Sequence, residues 1–214
     1  MAISSTQNFL DAASAAITSH RPLLDSLREI NVKFLVALQE AAGDPTFRDG
    51  PDLGGMGPLF ESLGRDTIHR VSRFPFLLMD LGLSEIHPSA TPTALLKRLN
   101  EVRDQESSLP LLRTEHIALA RTALVLGWHA ARTDVGATLL LFGYAPTIAV
   151  EMAALALHEV ESLAPSCVTP LRLRWKHQPQ LWRQILTPAA YSSVDTVRGF
   201  VMHAVQLTAT THLK

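Results

Sequence analysis

The chain has one cysteine, Cys167. An intrachain disulfide and a cysteine-based zinc cluster are therefore excluded, a composition that fits a reducing cytosol. Charge is also scarce, at 18% of residues against 47% hydrophobic ones. A monomer coated by water needs less apolar content, so a large core and a subunit interface are expected. The net charge of −1 gives the whole molecule no field that would steer it onto DNA or an anionic membrane. Catalytic signatures are missing too: there is no G-x-S-x-G, H-E-x-x-H or C-x-x-C. The nine histidines include no i, i+4 pair that would present two imidazoles on one helix face. His158 and Glu159 are neighbours and point apart on a helix. No enzyme activity, cofactor or metal site is expected. Gly50 to Gly57 looks like a phosphate loop only in its glycines, since no Lys-Ser/Thr follows it.

The first nineteen residues lack a positive n-region and a sustained apolar run, so they do not read as a signal peptide. Residues 137–157, ATLLLFGYAPTIAVEMAALAL, are long and apolar enough to imitate a membrane span. Gly143 and Pro146 interrupt them and Glu151 would sit in hydrocarbon. Two short buried helices fit better, and the expected location is cytoplasmic, with no membrane contact.

What the sequence does contain is helix punctuation. His20-Arg21-Pro22 opens a helix with an apolar stripe at Leu23, Leu27, Ile30, Phe34 and Leu38. A weaker stripe (Phe9, Leu10, Ala13, Ile17) predicts a helix before it. Residues 43–58, dense in glycine and proline, predict a loop. A helix over 59–72 follows, then the apolar piece FPFLLMDLGL, read as helical with Pro75 near its first turn. Thr91-Pro92 starts another helix through Leu95, Leu96, Leu99 and Val102. The polar break at 104–110 separates an N-terminal helical region, 1–105, from a second helical domain, 111–214. That domain begins with a long helix, about 111–132, whose Leu119, Leu124, Leu126 and Trp128 are candidates for a dimer interface. Asp134 is placed to cap the next helix, Val135–Phe142, and Gly143 to end it. Pro146 opens a second short helix, and Leu157, Val160 and Leu163 mark a third. The reading is all-α, with a compact tri-helical, helix-turn-helix-like unit.

The stretch PLRLRWKHQPQLWRQIL, 170–186, holds Arg172, Arg174, Lys176 and Arg183 beside Trp175 and Trp182, with His177 and no acid. Residues 171–214 carry six Lys/Arg and one acid, a balance of +5, on a body with thirteen basic and nineteen acidic groups, −6. An extended Arg172/Arg174 pair would face outward to phosphates while Leu171, Leu173 and Trp175 face in. Alternatively, the arginine stems cover apolar surface and the heads pair with the acidic body. Both readings stay open at this level, with Arg172, Arg174, Lys176, His177 and Arg183 as the DNA- or partner-binding candidates.

Over about residues 111–210 the order of these pieces resembles the flagellar transcriptional regulator FlhD. The resemblance runs through Leu111-Leu112, Phe142-Gly143, Ala153-Ala154-Leu155, Leu163-Ala164, Leu171-Arg172-Leu173-Arg174-Trp175, Ile185-Leu186-Thr187 and a last helix at Val197–Thr208. It implies an all-α homodimer that binds promoter DNA with a second regulator of the FlhC type. A protein-interaction adaptor that keeps the fold without DNA binding is the alternative. About 110 residues precede the resembling region, and Leu23-Leu24, Ile30-Asn31 and Leu38-Gln39 also resemble the family's first helix.

Overall fold

The computed structural model describes residues 21–48, 53, 55–83, 114–167, 172–187 and 199. It is all-α. In chain order the helices are α1 (Arg21–Ala42), α2 (Pro45–Arg48), α3 (Gly57–Glu61), α4 (Arg65–Val71), α5 (Thr114–Thr133), α6 (Val135–Phe142), α7 (Pro146–Ala154), α8 (Leu157–Leu163) and α9 (Pro179–Leu186). The strands among the described residues are two-residue pieces, β1 (Met79–Asp80) and β2 (Arg172–Leu173), paired antiparallel. The expected helices around Phe9–Ile17 and Leu95–Val102, the one at Val197–Thr208 apart from Gly199, and the break at 104–110 lie outside the described residues.

Long α5 is the hub, packed by α1, α6, α7, α8 and the 3-10 turn Ala164–Cys167. On α1, Leu27, Ile30, Phe34 and Leu38 are buried, the predicted stripe at a period of 3.6. The tri-helical unit follows its punctuation closely. Asp134 accepts a hydrogen bond from Ala137 N–H at 3.0 Å and caps α6. Gly143 ends it at φ 72°, a left-handed turn that glycine adopts without steric cost. Proline opens α7 in its first turn, and the Glu159 carboxylate back-caps α8 by accepting from Ala156 N–H at 2.8 Å.

Three expectations differ from the structure. The glycine-rich stretch 43–58 is not loop throughout: it carries α2 and the start of α3, and Leu53 and Met56 are fully buried. Two apolar anchors hold that segment to the core despite its glycines. The helix over 59–72 breaks into α3 and α4, because Gly64 takes an extended conformation (φ −76°, ψ 152°). The piece FPFLLMDLGL is not helical. It crosses the interior as an extended strap, with Phe76, Leu77, Leu78, Met79, Leu81 and Leu83 all buried.

An extended strap in an apolar interior needs partners for its own N–H and C=O groups. Three different elements supply them. From α1, fully buried Asn31 donates Nδ2–H to Phe76 C=O at 2.7 Å and accepts Leu78 N–H at Oδ1, 3.0 Å. From α6, Leu141 C=O accepts Leu77 N–H at 2.7 Å. From the turn after β2, Arg174 N–H donates to Leu78 C=O at 2.9 Å. The edge-to-face contact of Phe60 on Trp182, 5.6 Å between centroids, ties α3 to α9. One apolar cluster runs from Leu27 to Ile185, so the described residues on both sides of 104–110 share a core.

Two groups that are neutral when protonated are sealed in that core, a thiol and a phenol. Burial, with Asp80 adding, pushes the Cys167 thiol up to about 12. Burial also drives the Tyr144 phenol far above its ordinary value, and its hydroxyl has no hydrogen-bond partner. It stands against Gly127, where a Cβ would meet the phenol oxygen. The folded chain holds both protons after the unfolded chain has released them. Bound protons in the native state then exceed those in the unfolded state, so stability falls as pH rises. Thermal melts should show a decline starting at about pH 9 and continuing to about 12. Tyr144→Phe should shrink that decline and leave neutral-pH stability unchanged or higher by about 1 kcal/mol, since it removes an unpaired buried hydroxyl. A flat profile above pH 9, or a neutral-pH loss above about 2 kcal/mol for Tyr144→Phe, would contradict the assignment.

Candidate partner-binding surfaces

The basic stretch that the sequence singles out folds in an unexpected way. Leu173 is fully buried, as its place in an alternating strand predicts. Arg174 is buried too, at 7% exposure, so the expected outward-facing pair is broken. The reason is local. β2 is two residues long, and Trp175 takes φ 58°, a left-handed conformation that costs a non-glycine residue on the order of 1 kcal/mol. Strand alternation stops there, and the turn over 174–177 folds the guanidinium inward.

Inside, Arg174 serves as a cap. Its Nη1 donates to Leu141 C=O at 3.1 Å and Leu77 C=O at 3.4 Å, and its Nη2 to Leu140 C=O at 3.3 Å. Leu140 and Leu141 belong to the last turn of α6, where carbonyls lack helical partners and a cation meets the negative end of the dipole. The Trp175 ring lies 4.6 Å from the guanidinium carbon and the Phe76 ring 5.8 Å. A Cβ on Gly143 would come within 2.7 Å of Nη2, so that glycine provides both the turn and the space. The backbone is engaged as well: Trp182 Nε1–H donates to Arg174 C=O at 2.7 Å. Burial lowers the Arg174 pKa to about 10 while the Asp80 charge raises it, so the group stays charged at neutral pH.

The other candidates divide. His177 and Arg183 are exposed and Lys176 is half-buried. The β2 strand holds Arg172, whose side chain lies outside the described residues. The helix-turn-helix-like pair α6–α7 bends by 117° across a three-residue turn, within the range of that motif. Its chemistry is wrong for DNA. Residues 135–163 contain no Lys or Arg and three glutamates, Glu151, Glu159 and Glu161. The exposed face of α7 offers Thr147, Val150 and Ala154, with no cation for phosphates and little to read a base edge. Among the described residues, no single helix is long and apolar enough to cross a membrane, and no group of three metal-ligating side chains converges.

The dimer candidates also divide. Leu119 and Leu124 are buried within the protomer, at 7% and 0% exposure. Leu126 and Trp128 are half-buried and line an open groove of about 970 Å³ between α1, α5 and α8. Its apolar surface adds Val32 and Val36 from α1, Val125 from α5 and Leu157 from α8. Val36 is 38% exposed and Leu157 45%. Trp128 is a fixed wall, its Nε1–H donating to Leu155 C=O at 3.0 Å with Arg132 stacked 4.9 Å from the ring. Sequence reading missed the α1 side of the groove. The signal was there: Val32 and Val36 widen the apolar stripe of α1 beyond the face that Leu27, Phe34 and Leu38 bury.

No family model matches this chain, and no curated protein or solved structure matches it either.

The Arg174 geometry makes a direct prediction. Arg174→Ala should cost about 3 kcal/mol, because it leaves interior carbonyls unpaired. Exposed Arg183→Ala should change stability by less than about 0.5 kcal/mol. Urea unfolding of both variants checks this; equal, small losses would show that Arg174 is not a cap.

Proposed function

We propose that this chain is a protein-interaction adaptor, a non-enzymatic co-regulator that docks a partner in the groove between α1 and α5. The observation that carries this reading is the groove itself: a long, open, mainly apolar channel flanked by charge, with a rigid tryptophan in its wall. Such channels are how helical segments are recognised. The FlhD resemblance supports the same class, since it implies a regulator that works through a second protein of the FlhC type. A second copy of the chain is the other occupant that reading implies, through Leu126 and Trp128.

The bend of α6–α7 favours a second reading, promoter DNA binding, with Lys176, His177, Arg183 and Arg172 as contacts. Its charge supply is thin. With Arg174 used internally, three Lys/Arg remain in the stretch, Arg172, Lys176 and Arg183. If these three are the phosphate contacts, the slope of log K against log salt is about −2.7.

Photo-crosslinking in cells separates the two. A photoreactive residue at Val36 or Leu157 should trap one protein species, and one at Arg183 should trap no nucleic acid. In vitro, promoter duplex should stay unbound at ~1 μM protein and physiological salt. Nucleic-acid adducts at Arg183 would move the conclusion to the DNA reading, and an absence of protein adducts at both groove positions would overturn the adaptor reading.

A further inference from the structure

Resting on the adaptor reading, the geometry assigns the occupant of the groove: we infer that it takes one amphipathic helix of about four turns with a basic flank, from a partner protein. Length comes first. The lining stripe on α1 runs from Ser26 to Glu40, and the stripe on α5 from Glu115 to His129. Each spans fourteen residue steps, about 21 Å of helix. Two stripes of equal length define a channel for a third helix of about the same length. A compact small molecule would fill a fraction of it.

Apolar spacing comes second. Val32 and Val36 are four apart on α1, and Val125 and Leu126 are followed by Trp128 on α5, with Leu157 closing one side from α8. Apolar residues recurring three and four apart on an incoming helix would meet these in turn.

Charge selects among helices. Among the described residues that line the groove are four glutamates, Glu29, Glu40, Glu115 and Glu161, and two cations, Lys33 and Arg121. The two histidines there, His116 and His129, add no formal charge when neutral. Glu29, Glu40, Glu115 and Glu161 come from three helices, so the acidic character surrounds the channel. Glu29, Glu115 and Glu161 make no ion pair among the described residues. A balance of −2 over the described lining residues disfavours a second copy. In a two-fold pairing Lys33 and Arg121 would offset two glutamates of the facing copy and leave two more opposed to like charge. A helix flanked by Lys or Arg meets the same rim with opposite sign.

The test uses the full chain and two fluorescein-labelled helical peptides of about 15 residues. Both carry leucines spaced three and four apart; one has lysines on its flanks and the other glutamates. Fluorescence anisotropy should show the lysine peptide binding at least ~10-fold tighter, with the difference shrinking as salt rises. Val36→Glu should abolish the binding while far-UV circular dichroism stays unchanged. Glu29→Lys with Glu40→Lys should reverse the preference. Equal affinities for the two peptides, or binding insensitive to Val36→Glu, would overturn the inference while leaving the adaptor reading to its crosslinks. Light scattering that shows a dimer turned into a monomer by Val36→Glu would assign the face to a second copy and overturn it too.

Discussion

A buried, extended segment with a two-residue strand pairing in place of a full sheet is the constraint on which this structure depends. Phe76, Leu77 and Leu78 cross the interior, and their backbone groups need hydrogen bonds in a place without water. Asn31, Leu141 and Arg174 provide them from three distant parts of the chain. Each partner is itself fixed by something nearby: Asn31 by the buried face of α1, Leu141 by the capped end of α6, Arg174 by the turn at Trp175. The first helix and the basic stretch, which a reader of the sequence would assign to separate domains, are joined through this strap.

That constraint redistributes charge. Arg174 is one of the cations that make residues 170–186 look like a phosphate-binding surface, and the fold uses it to close α6. The helix-turn-helix-like unit beside it carries glutamates and no Lys or Arg. What the surface does offer lies elsewhere, along α1 and α5. There two apolar stripes stay partly exposed beneath an acidic rim. This is why the adaptor reading takes precedence over the DNA reading, although both begin from the same resemblance.

Much of the fold was legible because local rules decide it. The stripe of α1, the Asp134 cap, the Gly143 turn and the proline that opens α7 are each set within a few residues, and the structure places them where spacing predicts. The misreadings have a common origin in long-range packing. Leu53 and Met56 anchor a stretch whose glycines predict open loop. FPFLLMDLGL has helical composition, yet partners up to 97 residues away in sequence hold it extended. Arg174 was read by strand alternation, which fails once Trp175 leaves the strand. The groove went unseen for the same reason: its two walls are far apart in the chain, and each wall alone reads as an ordinary amphipathic helix.

The central claim is that the strap joins both halves of the chain into one cooperative unit. Native-state hydrogen exchange at the Leu77, Leu78 and Arg174 amides tests it most directly. All three should exchange through global unfolding alone, with the same free energy and denaturant dependence as the core amides of α1 and α6. Exchange of these amides at a free energy well below the global value, with α1 and α6 still protected, would mean that the strap opens by itself and that the account is wrong.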